Sequence, residues 1–334
     1  MILVKIIPIK LFLYLYILVF LSSCINDSET VINGSTMGTT YTVKVNNHLV
    51  DTKYLKTQLD SVLFNINNTL STYVKNSEIN KINKSRLNDY NVSEEFSFVL
   101  RKSLFYANLS DGYYDPTVYP FVDAWGFGPS DISKRPDDKV IKEIKNNVSY
   151  KFLNIRDNIL SKSNVFTYID LSSIAKGYAV DFLCDYLLNI GYYDIMVDIG
   201  GELRCHSRSS DNSRIIGVAN PYDSKIYLKT KINNHSIATS GNYNNFTMYD
   251  GVEYSHIINP KTGYPVKNQI LSCTVISEKC IDADALATML MVLPIENGLS
   301  IIDNVDNTEC LILSKGERGI SEFMSSGFKR FIVD

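Results

Sequence analysis

Histidine is scarce in this chain. There are four in 334 residues, His48, His206, His235 and His256, and no two sit at a spacing that would let them share a metal. The six cysteines never fall as a C-x-x-C pair. Zinc and iron–sulfur sites, which need such clusters, are therefore argued against. The formal net charge of −3 leaves no basic excess to neutralise nucleic-acid phosphates, so a nucleic-acid partner is not indicated. Neither a G-x-G-x-x-G fingerprint, a Walker loop nor a G-x-S-x-G elbow occurs. The commonest nucleotide-binding and serine-hydrolase signatures are thus missing. Only one tryptophan is present.

What is present is enough apolar material for a core, 45% of the residues. The N-terminus reads as a targeting segment. Lys5 and Lys10 precede an apolar run over residues 11–21 that ends in Leu21-Ser22-Ser23-Cys24. A charged start, a short apolar stretch and small residues describe a secretory signal, and the run is short for a membrane span. The small-small-Cys ending resembles a bacterial lipobox, with Cys24 as the lipidated first residue after cleavage. An ordinary signal peptide or an uncleaved anchor is the alternative. The chain then divides into a signal over 1–23, a tether over 24–30 and one domain over 31–334. The five cysteines that follow, Cys184, Cys205, Cys273, Cys280 and Cys310, are scattered and odd in number. They read as buried free thiols.

Residues 39–45 alternate as a strand does. Leu55, Leu59, Val62, Leu63, Ile66 and Leu70 recur at helical spacing, and a second helix is expected over 93–110, stopped by Gly112. Residues 112–129, rich in Gly, Pro and aromatics, read as an ordered loop, and 131–147 as a polar, weakly helical stretch. Residues 168–171 read as a strand end, with Ser172 or Ser173 capping a helix that runs to Ile190 and stops at Gly191. Ile174, Tyr178, Phe182, Tyr186 and Ile190 would share one face of it. A strand over 195–199 closes at Gly200-Gly201, and a last helix covers 282–293. Strands and helices without strict alternation argue an α+β fold, mixed sheets with packed helices, as one unit or two intimate subdomains.

Three segments could carry chemistry. In Asp170-Leu171-Ser172-Ser173-Ile174-Ala175-Lys176-Gly177 a helix start would offer backbone N–H groups to an anion. Lys176 there opposes the helix dipole, a conflict that a bound phosphate would remove. A plain surface lysine beside a serine cap fits the same spacing. In Asp282-Ala283-Asp284-Ala285-Leu286-Ala287-Thr288, Asp284 and Thr288 share a helix face and together suit a hard cation such as Mg²⁺. Acids also stabilise helix N-termini without any metal. His256, before Pro260-Lys261-Thr262-Gly263, is either a packed histidine or a catalyst.

Taken together, eight blocks in order resemble the ApbE-type FAD:protein FMN transferases. They are Gly34-Ser35-Thr36-Met37-Gly38-Thr39, then Ser71-Thr72-Tyr73 with Ser77-Glu78-Ile79, then Asp115-Pro116-Thr117 with Trp125-Gly126-Phe127-Gly128-Pro129. Ala175-Lys176-Gly177-Tyr178-Ala179-Val180-Asp181, Gly200-Gly201-Glu202 and Ala238-Thr239-Ser240-Gly241 follow. Ser255-His256-Ile257-Ile258 and Asp284-Ala285-Leu286-Ala287-Thr288 close the series. The resemblance implies FAD as substrate, held at Met37, Tyr73, Ala124, Trp125, Gly126, Phe127, Asp170, Lys176 and Ile258. It implies Mg²⁺ near Ser173, Asp284, Ala287 and Thr288, with His256 and Asp284 as the groups that carry catalysis. Four positions, at three places, depart from the family pattern. Ala287 stands where a polar group is frequent, so only its backbone could contribute. Asn259 replaces a frequent Asp, and Ser172-Ser173 replaces common glycines.

The activity so implied is Mg-dependent transfer of the FMN half of FAD to a Thr or Ser hydroxyl of an acceptor protein, with release of AMP. The expected acceptors are membrane redox subunits, and the expected location is the cell envelope, on a lipid anchor facing the periplasm. FAD hydrolysis to FMN and AMP, or a non-catalytic FAD-binding lipoprotein, would use the same residues. Tyr73 and Trp125 are expected beside the flavin or adenine ring, with core packing as the rival role. Cys24→Ser should abolish lipid anchoring, because only the thiol can take the diacylglyceryl thioether. Incorporation of labelled fatty acid by this variant would refute the lipobox.

Overall fold

The computed structural model describes residues 29–46, 50–128, 134–209, 212–242 and 246–333. Cys24 and the signal segment lie outside the described residues, as does Pro129. In chain order the elements are β1 (Glu29–Thr36), β2 (Thr39–Asn46), α1 (Thr52–Leu70), α2 (Glu78–Lys84), β3 (Asp89–Asn91), α3 (Glu94–Leu109), α4 (Tyr119–Ala124) and α5 (Asp138–Lys145). β4 (Leu153–Arg156), β5 (Ile159–Lys162), α6 (Ser172–Asn189), β6 (Ile195–Ile199), β7 (Glu202–His206), β8 (Arg214–Ala219), β9 (Ile226–Ile232) and β10 (Ser236–Gly241) follow. The last part holds β11 (Phe246–Tyr249), β12 (Val252–Ser255), β13 (Ile258–Asn259), β14 (Tyr264–Pro265), β15 (Ile270–Ser277), α7 (Cys280–Leu290), α8 (Ile295–Ile302), β16 (Glu309–Gly316), β17 (Gly319–Met324) and β18 (Ile332–Val333).

An eight-stranded antiparallel sheet, ordered β1-β2-β6-β7-β10-β15-β16-β17, organises the molecule. Period-2 alternation sends successive side chains to opposite faces, and both faces are covered. Ile195, Val197, Cys273, Val275, Cys310 and Ile312 join a large core with α1, α3, α6 and α7. Met196, Leu203, Ile276, Leu311 and Leu313 point the other way, onto a smaller core under the β8-β9-β18 sheet. Burial on both faces explains why these strands read as continuous apolar runs. A third cluster gathers Phe121, Trp125, Ile141, Tyr249 and Ile258 beside α4 and α5. The α+β reading agrees with this architecture, and Cys184, Cys205, Cys273, Cys280 and Cys310 are all buried free thiols.

Local differences from the sequence reading have local causes. Residues 168–171 form no strand. Ile169 exchanges both backbone hydrogen bonds with the Asn83 amide at 2.8 Å, and the Asp170 N–H donates to Pro116 O at 2.8 Å. The chain's polar groups are thus satisfied outside a ladder. The cap of α6 is not Ser172 or Ser173. The N-cap position falls on Leu171, which has no capping side chain, and Asp170 Oδ1 just before it accepts the Ser172 N–H at 2.9 Å. Nor does α6 show one apolar face, because it is buried between the sheet and its neighbouring helices. Leu183, Cys184 and Leu187 are core, while Phe182 and Ile190 are 41% and 48% exposed. Residues 112–129 are not all loop, since α4 forms there with Pro120 in its first turn.

Lys162 on β5 is 1% exposed, and its ammonium has no hydrogen-bond partner among the described residues. It stands over the Tyr90 ring, 5.7 Å from the centroid. Burial, with the Arg86 charge, pulls its pKa down to about 8. Below that value the fold carries the full desolvation cost of the charge. Above it the folded lysine is neutral while the unfolded one stays charged up to about 10.4. Stability from this group therefore rises with pH between those limits. Lys162→Met should raise the melting temperature at pH 7 and narrow its gap to wild type as pH climbs toward 10. A gap independent of pH would contradict this assignment.

Candidate functional site

A cleft of about 580 Å³ opens where the large sheet, α6, α7 and the chain after β12 meet. The two helices that bring Ser173, Lys176, Asp284 and Thr288 to it are locked together. Gly177 lies at their crossing, where a Cβ would come within 2.3 Å of Cys280 O and 2.7 Å of Asp284 Cβ, so no other residue permits this approach. The Gly177 N–H donates to Asp284 Oδ2 at 2.8 Å. In return Asp181 of α6 accepts the Ile281 N–H at 2.9 Å, at the start of α7. Asp181 Oδ1 also pairs with Arg204 at 2.9 Å, which compensates its buried charge.

The two acids of Asp282-Ala283-Asp284 face different neighbours. Asp282 Oδ1 receives Lys102 Nζ at 2.8 Å and Tyr106 OH at 2.6 Å, and so ties α7 to α3. Asp284 turns toward α6 and the cleft, with Thr288 one helical turn on. Burial pushes the Asp284 carboxyl above its usual range, against the pull of Lys176 and the Gly177 N–H. Ser173 donates to Tyr114 OH at 2.8 Å, and that buried phenol also meets Ser103 at 3.2 Å. Burial raises the Tyr114 pKa, so it stays a neutral hydroxyl.

Lys176 crosses from α6 to Glu202, with Nζ 2.7 Å from Oε1. Burial alone would depress its pKa, but the Asp284 and Glu202 carboxylates outweigh burial and hold the ammonium charged. Glu202 is itself pushed up by burial and by Asp284, against Lys176. Asp170 at the mouth of α6 is also raised by burial, opposed by its hydrogen bonds from Ser172. Thr239 and Ser240 of β10, His256, Ile257 and Ile258 also line the cleft. The His256 ring meets Phe127 edge-on at 6.1 Å.

Seven of the residues singled out from sequence thus converge: Asp170, Ser173, Lys176, His256, Ile258, Asp284 and Thr288. Others do not line the cleft. Met37 occupies the β1–β2 turn in a left-handed conformation, φ 50°, and packs against the core. Ala287 is 1% exposed, so its methyl is core. Tyr73 is 75% exposed and stands near Tyr119, whose hydroxyl is raised by burial and by neighbours that include Asp123, Asp170 and Tyr73. Ala124 ends α4, and Gly126 and Phe127 follow it, with Phe127 against the His256 ring.

Trp125 corrects the expectation of an aromatic ring beside the ligand. Its side chain is wholly buried, 5.0 Å from the Tyr254 ring, with Nε1 donating to Gly263 O at 2.9 Å. Core packing is its role. Several lining groups escaped the sequence reading. Tyr114 and Glu202 sat inside noticed motifs without being singled out, whereas Ile216, Gly217 and Val218 of β8 carry no sequence signal at all.

The donors fit a hard cation. Asp284 carboxylate, Thr288 hydroxyl and Ser173 hydroxyl are all oxygen, and Asp284 Oδ1 has no hydrogen bond among the described residues. The lysine on the same wall suits an anion that the cation would share.

The ApbE family model matches residues 37–312. A FAD:protein FMN transferase of Vibrio cholerae serotype O1 is 37% identical over 326 residues, spanning 94% of this chain and 96% of that protein. One from Escherichia coli K12 is 32% identical over 318 residues, spanning 91% and 89%. Among solved structures, a flavin transferase ApbE from Vibrio cholerae superposes with a TM-score of 0.84 at 36% identity, covering 91% of this chain and 99% of that one. An ApbE protein from Thermotoga maritima gives 0.82 at 26% identity, covering 92% and 100%.

Trp125→Ala should cost roughly 3–5 kcal/mol of stability, the usual range for a fully buried large aromatic. Tyr73→Ala should stay within about 0.5 kcal/mol of wild type, as exposed substitutions do. Thermal denaturation of both variants gives the ranking. Equal stability of the two would refute the packing role of Trp125.

Proposed function

The chain belongs to the ApbE family, and on that premise we propose that it transfers the FMN half of FAD to a Thr or Ser hydroxyl of an acceptor protein, releasing AMP. The observation that carries this reading is the convergence of Lys176, Asp284, Thr288, Asp170 and His256 on one cleft.

Lys176 and the N-terminal turn of α6 supply positive charge toward the pyrophosphate. The acceptor hydroxyl oxygen attacks the phosphorus of the FMN half and forms the new O–P bond. The bond from that phosphorus to the bridging oxygen breaks, and AMP leaves with the oxygen. His256, which lines the same cleft as Lys176, accepts the hydroxyl proton. Asp284, Thr288 and Ser173 would hold Mg²⁺, with only backbone available from Ala287. The bound ion would supply Lewis-acid stabilisation of the phosphate oxygens. Positioning and charge compensation are the main demands of phosphoryl transfer. Ile257 and Ile258 give the cleft an apolar wall that limits water. The acceptor class, membrane-associated redox subunits, and a lipid anchor at Cys24 belong to the same proposal. They place the enzyme outside the cytoplasm beside such partners.

Incubation with FAD, Mg²⁺ and a co-expressed candidate acceptor should give a covalent FMN adduct by mass spectrometry and one AMP per adduct. AMP without adduct would establish hydrolysis instead, and neither product would leave a binding protein. His256→Asn should cut single-turnover transfer by roughly 10²–10⁴-fold, the range for a positioned base, with FAD affinity little changed. Near-normal chemistry of the variant at saturation would remove His256 from this role. Asp284→Asn should need far more Mg²⁺ for turnover, and full activity at limiting Mg²⁺ would dismiss Asp284 as a ligand.

A further inference from the structure

The Gly200-Gly201-Glu202 motif has no part in that reaction. Gly200 and Gly201 have φ of 65° and 103°, a turn that L side chains rarely adopt, and the Gly201 N–H is tied to Asp198 Oδ1 at 3.0 Å. The turn delivers Glu202, 4% exposed, into the cleft wall at the head of β7. Glu202 spends one oxygen on Lys176, at 2.7 Å. Its other oxygen, Oε2, is buried without a hydrogen-bond partner. Leaving a buried acceptor unsatisfied costs free energy, so this carboxylate is poorly explained as a stabilising ion pair.

The second acid near that ammonium is Asp284, which acts on the same charge from α7. A lysine on four flexible methylenes could pair with either carboxylate. Pairing with Asp284 would occupy the oxygen that a hard cation needs. We infer that Glu202 is a positioning residue that holds the Lys176 ammonium on the β7 side of the cleft, away from Asp284, so that lysine and metal ligand act on the substrate separately. The inference rests on the flavin-nucleotide reading of the cleft. It gives Gly200-Gly201-Glu202 a reason to be rigid: the turn fixes the point to which the lysine is drawn.

The test measures FAD binding by flavin fluorescence as Mg²⁺ is titrated, without acceptor and without reference to turnover. E202Q should raise the Mg²⁺ concentration for half-maximal binding by about tenfold, because a released ammonium competes for Asp284. Added to K176M, the same substitution should produce no further shift, since no ammonium is left to misplace. A crystal structure of E202Q should show Lys176 Nζ in contact with Asp284. Should E202Q fail to fold, E202D keeps the charge one methylene short and should give an intermediate shift. An unshifted E202Q or E202D beside a wild type that binds FAD overturns the inference alone. An equal shift in the K176M background overturns it too, by showing that Glu202 acts directly. A wild type that binds no FAD overturns the functional reading and this inference with it.

Discussion

The approach of α6 and α7 at Gly177 is the constraint from which the site follows. With no Cβ at that position the helices close until Cys280 O and Asp284 Cβ fill the space a side chain would take. At that distance each helix satisfies a backbone donor of the other, Gly177 N–H to Asp284 and Ile281 N–H to Asp181. The exchange fixes axial register as well as separation. Lys176 is the neighbour of Gly177 in sequence, and Thr288 lies one turn beyond Asp284. A single contact therefore sets the relative places of the cation, the acid and the hydroxyl. Precision of this kind is what chemistry that works by positioning requires.

The same closeness creates an electrostatic problem that the isolated protein solves only in part. Asp284 and Glu202 share one lysine in a buried wall, and burial raises both acids above their ordinary ranges. Two carboxylates and one ammonium leave a formal excess of one negative charge. A dication would reverse that sign, and an anionic pyrophosphate would then be attracted rather than repelled. The wall thus suits a metal and a phosphate together better than either alone. Unfavourable burial of the acids is offset when both partners arrive.

How far all this was legible in the sequence depends on the range of the determining contacts. α1 and α3 could be read because their cores face one side, giving apolar residues at clean 3.6-residue spacing. α6 misled because it is buried nearly all round, so its periodicity carries no direction. Residues 168–171 looked like a strand because they are apolar and extended. Ile169 instead bonds to Asn83, 86 residues away in the sequence, and Asp170 to Pro116. In the cleft, Lys176 was visible because it opposes a helix dipole, Asp284 because it shares a helix face with Thr288, and His256 through the block it belongs to. Ile216 to Val218 of β8 were invisible because an apolar wall has no distinctive chemistry, and its place is set by the fold alone.

Trp125 shows how a motif residue can matter to a site without touching it. The indole gives its only donor to Gly263 O, and Gly263 has φ of 79° with no room for a side chain against Phe121 and Ile141. Lys145 adds Nζ contacts to Pro260 O at 2.7 Å and Lys261 O at 2.8 Å. The Pro260-Lys261-Thr262-Gly263 turn is thereby fastened to α4 and α5 from below. Directly before it, Ile258 pairs with Pro265, and the Val266 N–H returns to Ile257 O at 2.9 Å. His256 is the next residue back along this clamped stretch. Its backbone has little freedom, although the segment is a connection between short strands. The aromatic cluster is thus to His256 what the helix crossing is to Lys176 and Asp284, and the cleft is the gap between two independently rigid supports.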